Sequence, residues 1–197
     1  MKEINVKGTA RAAFGKKAAR EIRKANAVPC NLYGEAKDEN GAPVALPFTV
    51  TNDGLRNLIY SPDIYAVNLN IAGKECKANL EEIQFHPVKD NVLHVDFYEI
   101  TDTKPIVMEV PIKLNGLAEG VKAGGRLAAS VRKLKVKAVY TNIPERLNID
   151  VWSLGLGKTI KVGELHFEGL ELVTSKEVVV CQVKMTRGAR SAASADN

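Results

Sequence analysis

Eight basic side chains, Lys2, Lys7, Arg11, Lys16, Lys17, Arg20, Arg23 and Lys24, crowd into the first 24 residues, opposed only by Glu3 and Glu21. If the segment from Lys16 to Ala25 coils at roughly 100° per residue, Lys16, Lys17, Arg20, Arg23 and Lys24 cover one arc, and Ala18, Ala19, Ile22 and Ala25 cover the other. A solvated surface helix normally interleaves acids one turn from its bases, and here only Glu21 is available. Cations held on one face repel one another, and a phosphate backbone passing along that face relieves the repulsion. Arginine at positions 20 and 23 adds a planar fork suited to phosphates and base edges. The implied chemistry is nucleic-acid binding.

A second constellation lies in Val92-Leu93-His94-Val95-Asp96-Phe97-Tyr98. Period-two alternation puts Leu93, Val95 and Phe97 inside and His94, Asp96 and Tyr98 together outside. A donor, an acceptor and an aromatic ring on one exposed strand suit RNA, which is read by stacking, base-edge hydrogen bonds and the 2′-OH. His94 and Asp96 also fit a pair of metal ligands or the acid and base of a small hydrolase. Both readings need a third group that the sequence does not supply, and a surface cross-strand pair is the plainer alternative. Tyr33, before Gly34, is placed either to stack on a base or to pack at the rim of the core. Glu81, Glu82 and Gln84 lie on the adjoining strand segment. Carboxylates there repel phosphate, so they accept from base amino groups or sit beyond the footprint.

Other candidate sites fall away. Gly155-Leu-Gly-Lys-Thr159 ends like a phosphate-binding loop, but Trp152 stands where that motif needs its first glycine, and no helical pattern follows, so it reads as a turn. Gly116–Gly125 lacks the G-x-G-x-x-G spacing and opens no helical pattern; it reads as a loop. Cys30, Cys76 and Cys181 are too few and too scattered for a disulfide framework, and Cys30 reads as a buried thiol. With no secretory signal pattern and no run approaching roughly 20 apolar residues, a soluble protein of the reduced cytoplasm is expected. No catalytic residue, metal, cofactor, small-molecule substrate or membrane partner is expected.

The elements that must carry these side chains are mostly strands. Glu3–Lys7, Cys30–Tyr33, Val44–Val50, Tyr65–Ile71, Lys74–Gln84 and Val92–Tyr98 alternate, with turns at Asn40-Gly41 and Ala72-Gly73. Helices are expected at Lys16–Ala25 and, behind a Thr cap, at Thr51–Ile59. The polar run Glu99–Pro105 precedes a fresh set of strands, Ile106–Leu114, Val131–Val139, Leu147–Val151, Leu170–Val173 and Val178–Lys184. The expected architecture is mostly β (α+β): a first domain over 1–100, a second antiparallel β domain over 101–186, and a disordered tail over 187–197. Charge follows this division: residues 25–100 carry five basic and eleven acidic groups, and residues 101–197 fifteen and ten, so the ends are basic and the middle is not.

Three blocks carry a resemblance: Arg11-Ala-Ala-Phe-Gly-Lys-Lys-Ala-Ala-Arg-Glu-Ile-Arg23, then Val28-Pro-Cys-Asn-Leu-Tyr-Gly34, then Ile83-Gln-Phe-His-Pro-Val-Lys89 leading into Leu93-His-Val-Asp-Phe97. In their order and spacing the chain resembles bacterial large-subunit ribosomal protein twenty-five, in its long general-stress (Ctc) form. Val110–Gly116, Gly120–Gly125 and Leu147–Ser153 resemble that form's extra domain. The resemblance implies a small N-terminal β-barrel on the loop E region of 5S rRNA, its strands on the minor-groove side and its basic helix in the widened major groove. It also implies that Arg11, Lys16, Arg20, Arg23, Tyr33, His94 and Asp96 occupy RNA-contacting positions; Lys17 joins them on the helical face alone. Partners so implied are 5S rRNA first, then 23S rRNA and neighbouring large-subunit proteins. An alternative makes the second domain a protein-binding module of a stress-related factor, with RNA docking as its anchor. Glu21 and Glu81 depart from basic or amide residues found in some members, which removes contacts at those edges.

Overall fold

The structure, a computed structural model, describes residues 2–34, 41 and 44–187. The chain divides into two compact units, Met1–Lys104 and Pro105–Asn197. Asn40 of the expected turn and all but Arg187 of the expected tail lie outside the described residues.

The first unit runs β1 (Lys2–Ala10), α1 (Gly15–Lys24), β2 (Ala27–Tyr33), β3 (Leu46–Thr51), α2 (Asn52–Ile59), β4 (Tyr65–Ile71), β5 (Lys74–Phe85) and β6 (Val92–Glu99). Its strands close into a barrel in the order β1-β3-β2-β6-β5-β4, so that sheet has no free edge. Alternation along each strand sends Val28, Cys30 and Leu32, then Val95 and Phe97, to the interior. Phe48 and Phe97 are both 0 % exposed, with ring centroids 5.7 Å apart at 41°.

Three local devices hold the barrel in register. Ala72 and Gly73, at φ 51° and 88°, make the two-residue turn joining β4 to β5, and both positive angles match a type I′ hairpin. Thr51 caps α2 by accepting from the Gly54 amide at 3.3 Å. Gly8 on β1 lies so close to the core that a Cβ there would sit 2.6 Å from Phe48 Cδ2. Gly8→Ala therefore overpacks the closure seam and is expected to cost about 1–3 kcal/mol, read as a lower urea midpoint at unchanged slope.

The second unit contains β7 (Pro105–Asn115), α3 (Glu119–Lys122), β8 (Arg126–Ala129), β9 (Lys133–Val139), β10 (Leu147–Asp150), β11 (Thr159–Lys161), β12 (Glu171–Leu172) and β13 (Val179–Lys184). One sheet is ordered β10-β7-β9-β12 and the other β11-β13-β8. Sequence reasoning missed β8 and β11, which are four and three residues long. It also read 116–125 as loop throughout, whereas a short helix, α3, interrupts it. The pairing is antiparallel apart from β10, which runs parallel to β7 with Leu147 opposite Ile112. Val110, Leu134, Val136, Ile143, Leu147 and Ile149 are all buried.

Candidate RNA interface

Helix α1 sits between β1 and β2 and packs on β2 through half-buried Ala18, Ala19 and Ile22. Lys16, Lys17, Arg20, Arg23 and Lys24 all face solvent. Arg23 and Lys24 end the helix where cations suit its dipole, but Lys16 and Lys17 stand in the first turn, where they oppose it. No acid occupies that turn, and Phe14, the residue before it, offers no side-chain cap. An anion at this end would satisfy the lysines and the free amides together.

The strand face is shaped by two irregularities. On β5 the register shifts between Leu80 and Glu82, leaving Glu81 as an extra residue; on β6 Gln84 and Phe85 pair with His94 and Val92, which leaves Leu93 extra. The expectation that Leu93 points inside is therefore corrected. The bulge turns Val92 into the core, leaves Leu93 half-buried, and presents the Leu93 carbonyl, which accepts a hydrogen bond from Arg23 Nε at 3.0 Å. Helix and strand face thus meet at one side chain, with the rest of the Arg23 guanidinium left to the solvent side.

Beyond the bulge the outward residues form rows across three strands. Asp96 stands opposite Asn31 on β2 and Glu82 on β5; Tyr98 stands opposite Tyr33; His94 stands opposite Gln84. His94 Nδ1 lies 3.4 Å from Asp96 Oδ2, with the side chains 19 % and 20 % exposed. Tyr33 and Tyr98 meet edge-to-face at 5.8 Å and 73°. Burial, then the carboxylates of Glu81, Asp96 and Glu82, push the Tyr33 pKa up, so its hydroxyl stays a donor. Two carboxylates directly opposed on neighbouring strands are unfavourable for folding alone. They suit amino groups on base edges, while the cationic helix suits phosphates.

Arg11 is anchored against β3, its backbone amide donating to the Pro47 carbonyl at 3.2 Å. Its guanidinium bends back over the exposed Phe14 ring at 5.8 Å and donates to the Ala13 carbonyl at 3.3 Å, while Nε is buried and makes no hydrogen bond among the described residues. Asn31 and Phe14 were not singled out as binding residues. Only the parallel register of β2 and β6 reveals the first, and the exposed ring of Phe14 beside Arg11 reveals the second. Among the described residues, no group of three or more His, Cys, Asp or Glu could hold a metal ion.

Behind the face, the Cys30 thiol is fully buried; burial first, then the Asp96 carboxylate, push its pKa from 9.0 up to about 12. The folded barrel therefore holds this proton more tightly than the unfolded chain does. The resulting stabilisation is complete below about pH 9 and is lost as the pH climbs toward about 12. Urea midpoints of the protein and of Cys30→Ala, compared across that window, are expected to converge as the pH rises.

A closed barrel faced by a basic helix and a polar strand row, followed by a separate β unit, has the features of a nucleic-acid-binding protein. Residues 6–97 match the model of the ribosomal L25p family, and residues 105–187 that of the ribosomal protein TL5 C-terminal domain. The chain is 66% identical over 193 residues to the large ribosomal subunit protein bL25 of Phocaeicola vulgatus, covering 98% of each chain. It is 60% identical to the protein of that name from Bacteroides thetaiotaomicron (99% and 98% covered) and 57% identical to that from Porphyromonas gingivalis (98% of each). The chain belongs to the ribosomal L25p family, as a structural, non-enzymatic component of the bacterial large ribosomal subunit.

Proposed function

We propose that the first unit binds 5S rRNA at its loop E region, α1 following the phosphates of the widened major groove and the β2-β6-β5 row meeting base edges and 2′-OH groups from the minor-groove side. The observation that carries this reading is the Arg23–Leu93 hydrogen bond, which makes the cationic helix and the polar row one surface. The division of charge supports it further: cations stand where phosphates pass, and Asp96, Glu82 and the Tyr33 hydroxyl stand where bases present donors and acceptors. Arg11, Lys16, Lys17, Arg20, Arg23, Tyr33, His94 and Asp96 are the residues assigned to the contact.

The test is a titration of the purified chain against 5S rRNA and an unrelated RNA duplex at several salt concentrations. Tight binding to 5S rRNA that weakens steeply with salt, beside weak binding to the duplex, is expected. Equal weak binding to both would reduce α1 to a nonspecific cationic surface.

A further inference from the structure

The second unit carries an exposed indole on a prepared seat. Trp152 follows β10 and is 58 % exposed, yet its backbone is fixed: the Trp152 carbonyl accepts from the Glu119 amide at 3.2 Å, and the preceding Val151 amide donates to the Asn115 carbonyl at 3.0 Å. One side of the ring rests on Gly116, where a Cβ would sit 2.4 Å from Cε2 and 2.6 Å from Nε1. Gly116 is also at φ 92°, a conformation that disfavours any side chain. Beside it Leu117 is 50 % exposed. A rigid ring with a backbone-covered side and an exposed remainder is a stacking platform.

The charge on the same sheet is uneven in a way the register makes plain. Toward the Pro105 end of β7, Lys137 pairs with Glu171 at 3.4 Å and Lys135 with Glu109 at 4.0 Å. Toward the Asn115 end, where Trp152 lies, exposed Lys133 stands opposite Pro111 and exposed Lys113 opposite Asn148. Neither lysine has an acidic partner among the described residues. Asp150 continues that outward row, opposite Asn115, and suits a base amino group.

We propose that this end of the second unit is an RNA-binding site of its own, in which Trp152 stacks on an unpaired base while Lys113 and Lys133 take the flanking phosphates. Aromatic stacking beside unneutralised cations is how single-stranded RNA is held without sequence readout. A protein docking over the ring would have to desolvate or pair the same two lysines. The site is independent of the 5S rRNA surface assigned to the first unit.

Trp152 is the chain's only tryptophan, so its emission reports this site alone. The full-length protein, first saturated with 5S rRNA, is titrated with a short oligoadenylate while tryptophan emission is followed. Quenching by at least about half is expected on stacking. Lys113→Ala/Lys133→Ala should weaken the titration about tenfold and lower its salt slope by about 1.4. With fluorescently labelled RNA, Trp152→Ala should lose about tenfold in affinity and Trp152→Phe, which keeps a ring on the seat, much less. Emission unmoved by saturating RNA overturns the proposal. So does emission that shifts only on removal of residues 188–197, or only on addition of rRNA-free large-subunit proteins.

Discussion

Replacing Arg20 and Arg23 together by alanine is expected to weaken 5S rRNA binding about 100-fold and to lower the salt slope of the affinity by roughly two. Each arginine is solvent-exposed on the cationic arc of α1 and has no acidic partner among the described residues, so each is free to give charge-assisted hydrogen bonds to phosphate. About tenfold per arginine corresponds to about 1.4 kcal/mol, at the low end of a hydrogen bond to a charged group because the site is wet. Arg23 has a second role. Its Nε holds the Leu93 carbonyl, so its loss also releases the helix from the strand row. Arg23→Lys separates the two effects: it keeps the charge, lacks the fork, and is expected to lose only about threefold while leaving the salt slope nearly unchanged. Filter binding of wild type and both variants across a salt series reads both quantities. A double variant that binds 5S rRNA within a factor of about three of wild type would remove α1 from the interface.

The helix was legible because its signal is local. Lys16, Lys17, Arg20, Arg23 and Lys24 share an arc at the helical period, and the Thr51 cap announces α2 one residue before it begins. The barrel strands were legible for the same reason, since Cys30-Leu32 and Val95-Phe97 alternate, although β2 begins earlier than its pattern shows because Val28, Pro29 and Cys30 are buried in a row. The joint between helix and strand was not. It depends on an extra residue at Leu93, and a bulge reverses the inside–outside parity of everything beyond it without any mark in the local pattern. The row that sets Asn31 beside Asp96 and Tyr33 beside Tyr98 likewise arises from pairing between distant segments. In the second unit, Arg126-Leu-Ala-Ala129 is too short to show alternation and becomes a strand only because β13 supplies its partner.

Phe97→Ala is expected to cost the barrel about 3–5 kcal/mol, the largest single loss of stability in the first unit. The ring is 0 % exposed and tilts against Phe48, itself 0 % exposed. Collapse cannot readily fill the cavity, because β6 is hydrogen-bonded to β2 on one side and β5 on the other, and the closed sheet lets neither strand slide inward alone. A domain of this size has roughly 5–15 kcal/mol in total, so the variant keeps only a fraction of its margin. Function follows, since His94, Asp96 and Tyr98 are the outward positions of the strand whose inward position is lost. Excess 5S rRNA should therefore restore part of the barrel's stability through binding linkage. Native-state hydrogen exchange at the Val28 and Val95 amides, with and without 5S rRNA, is the measurement: exchange roughly 100-fold or more faster in the free variant, slowed again by the RNA. Exchange at the wild-type rate would mean the Phe48–Phe97 pair is not what holds the binding face in place.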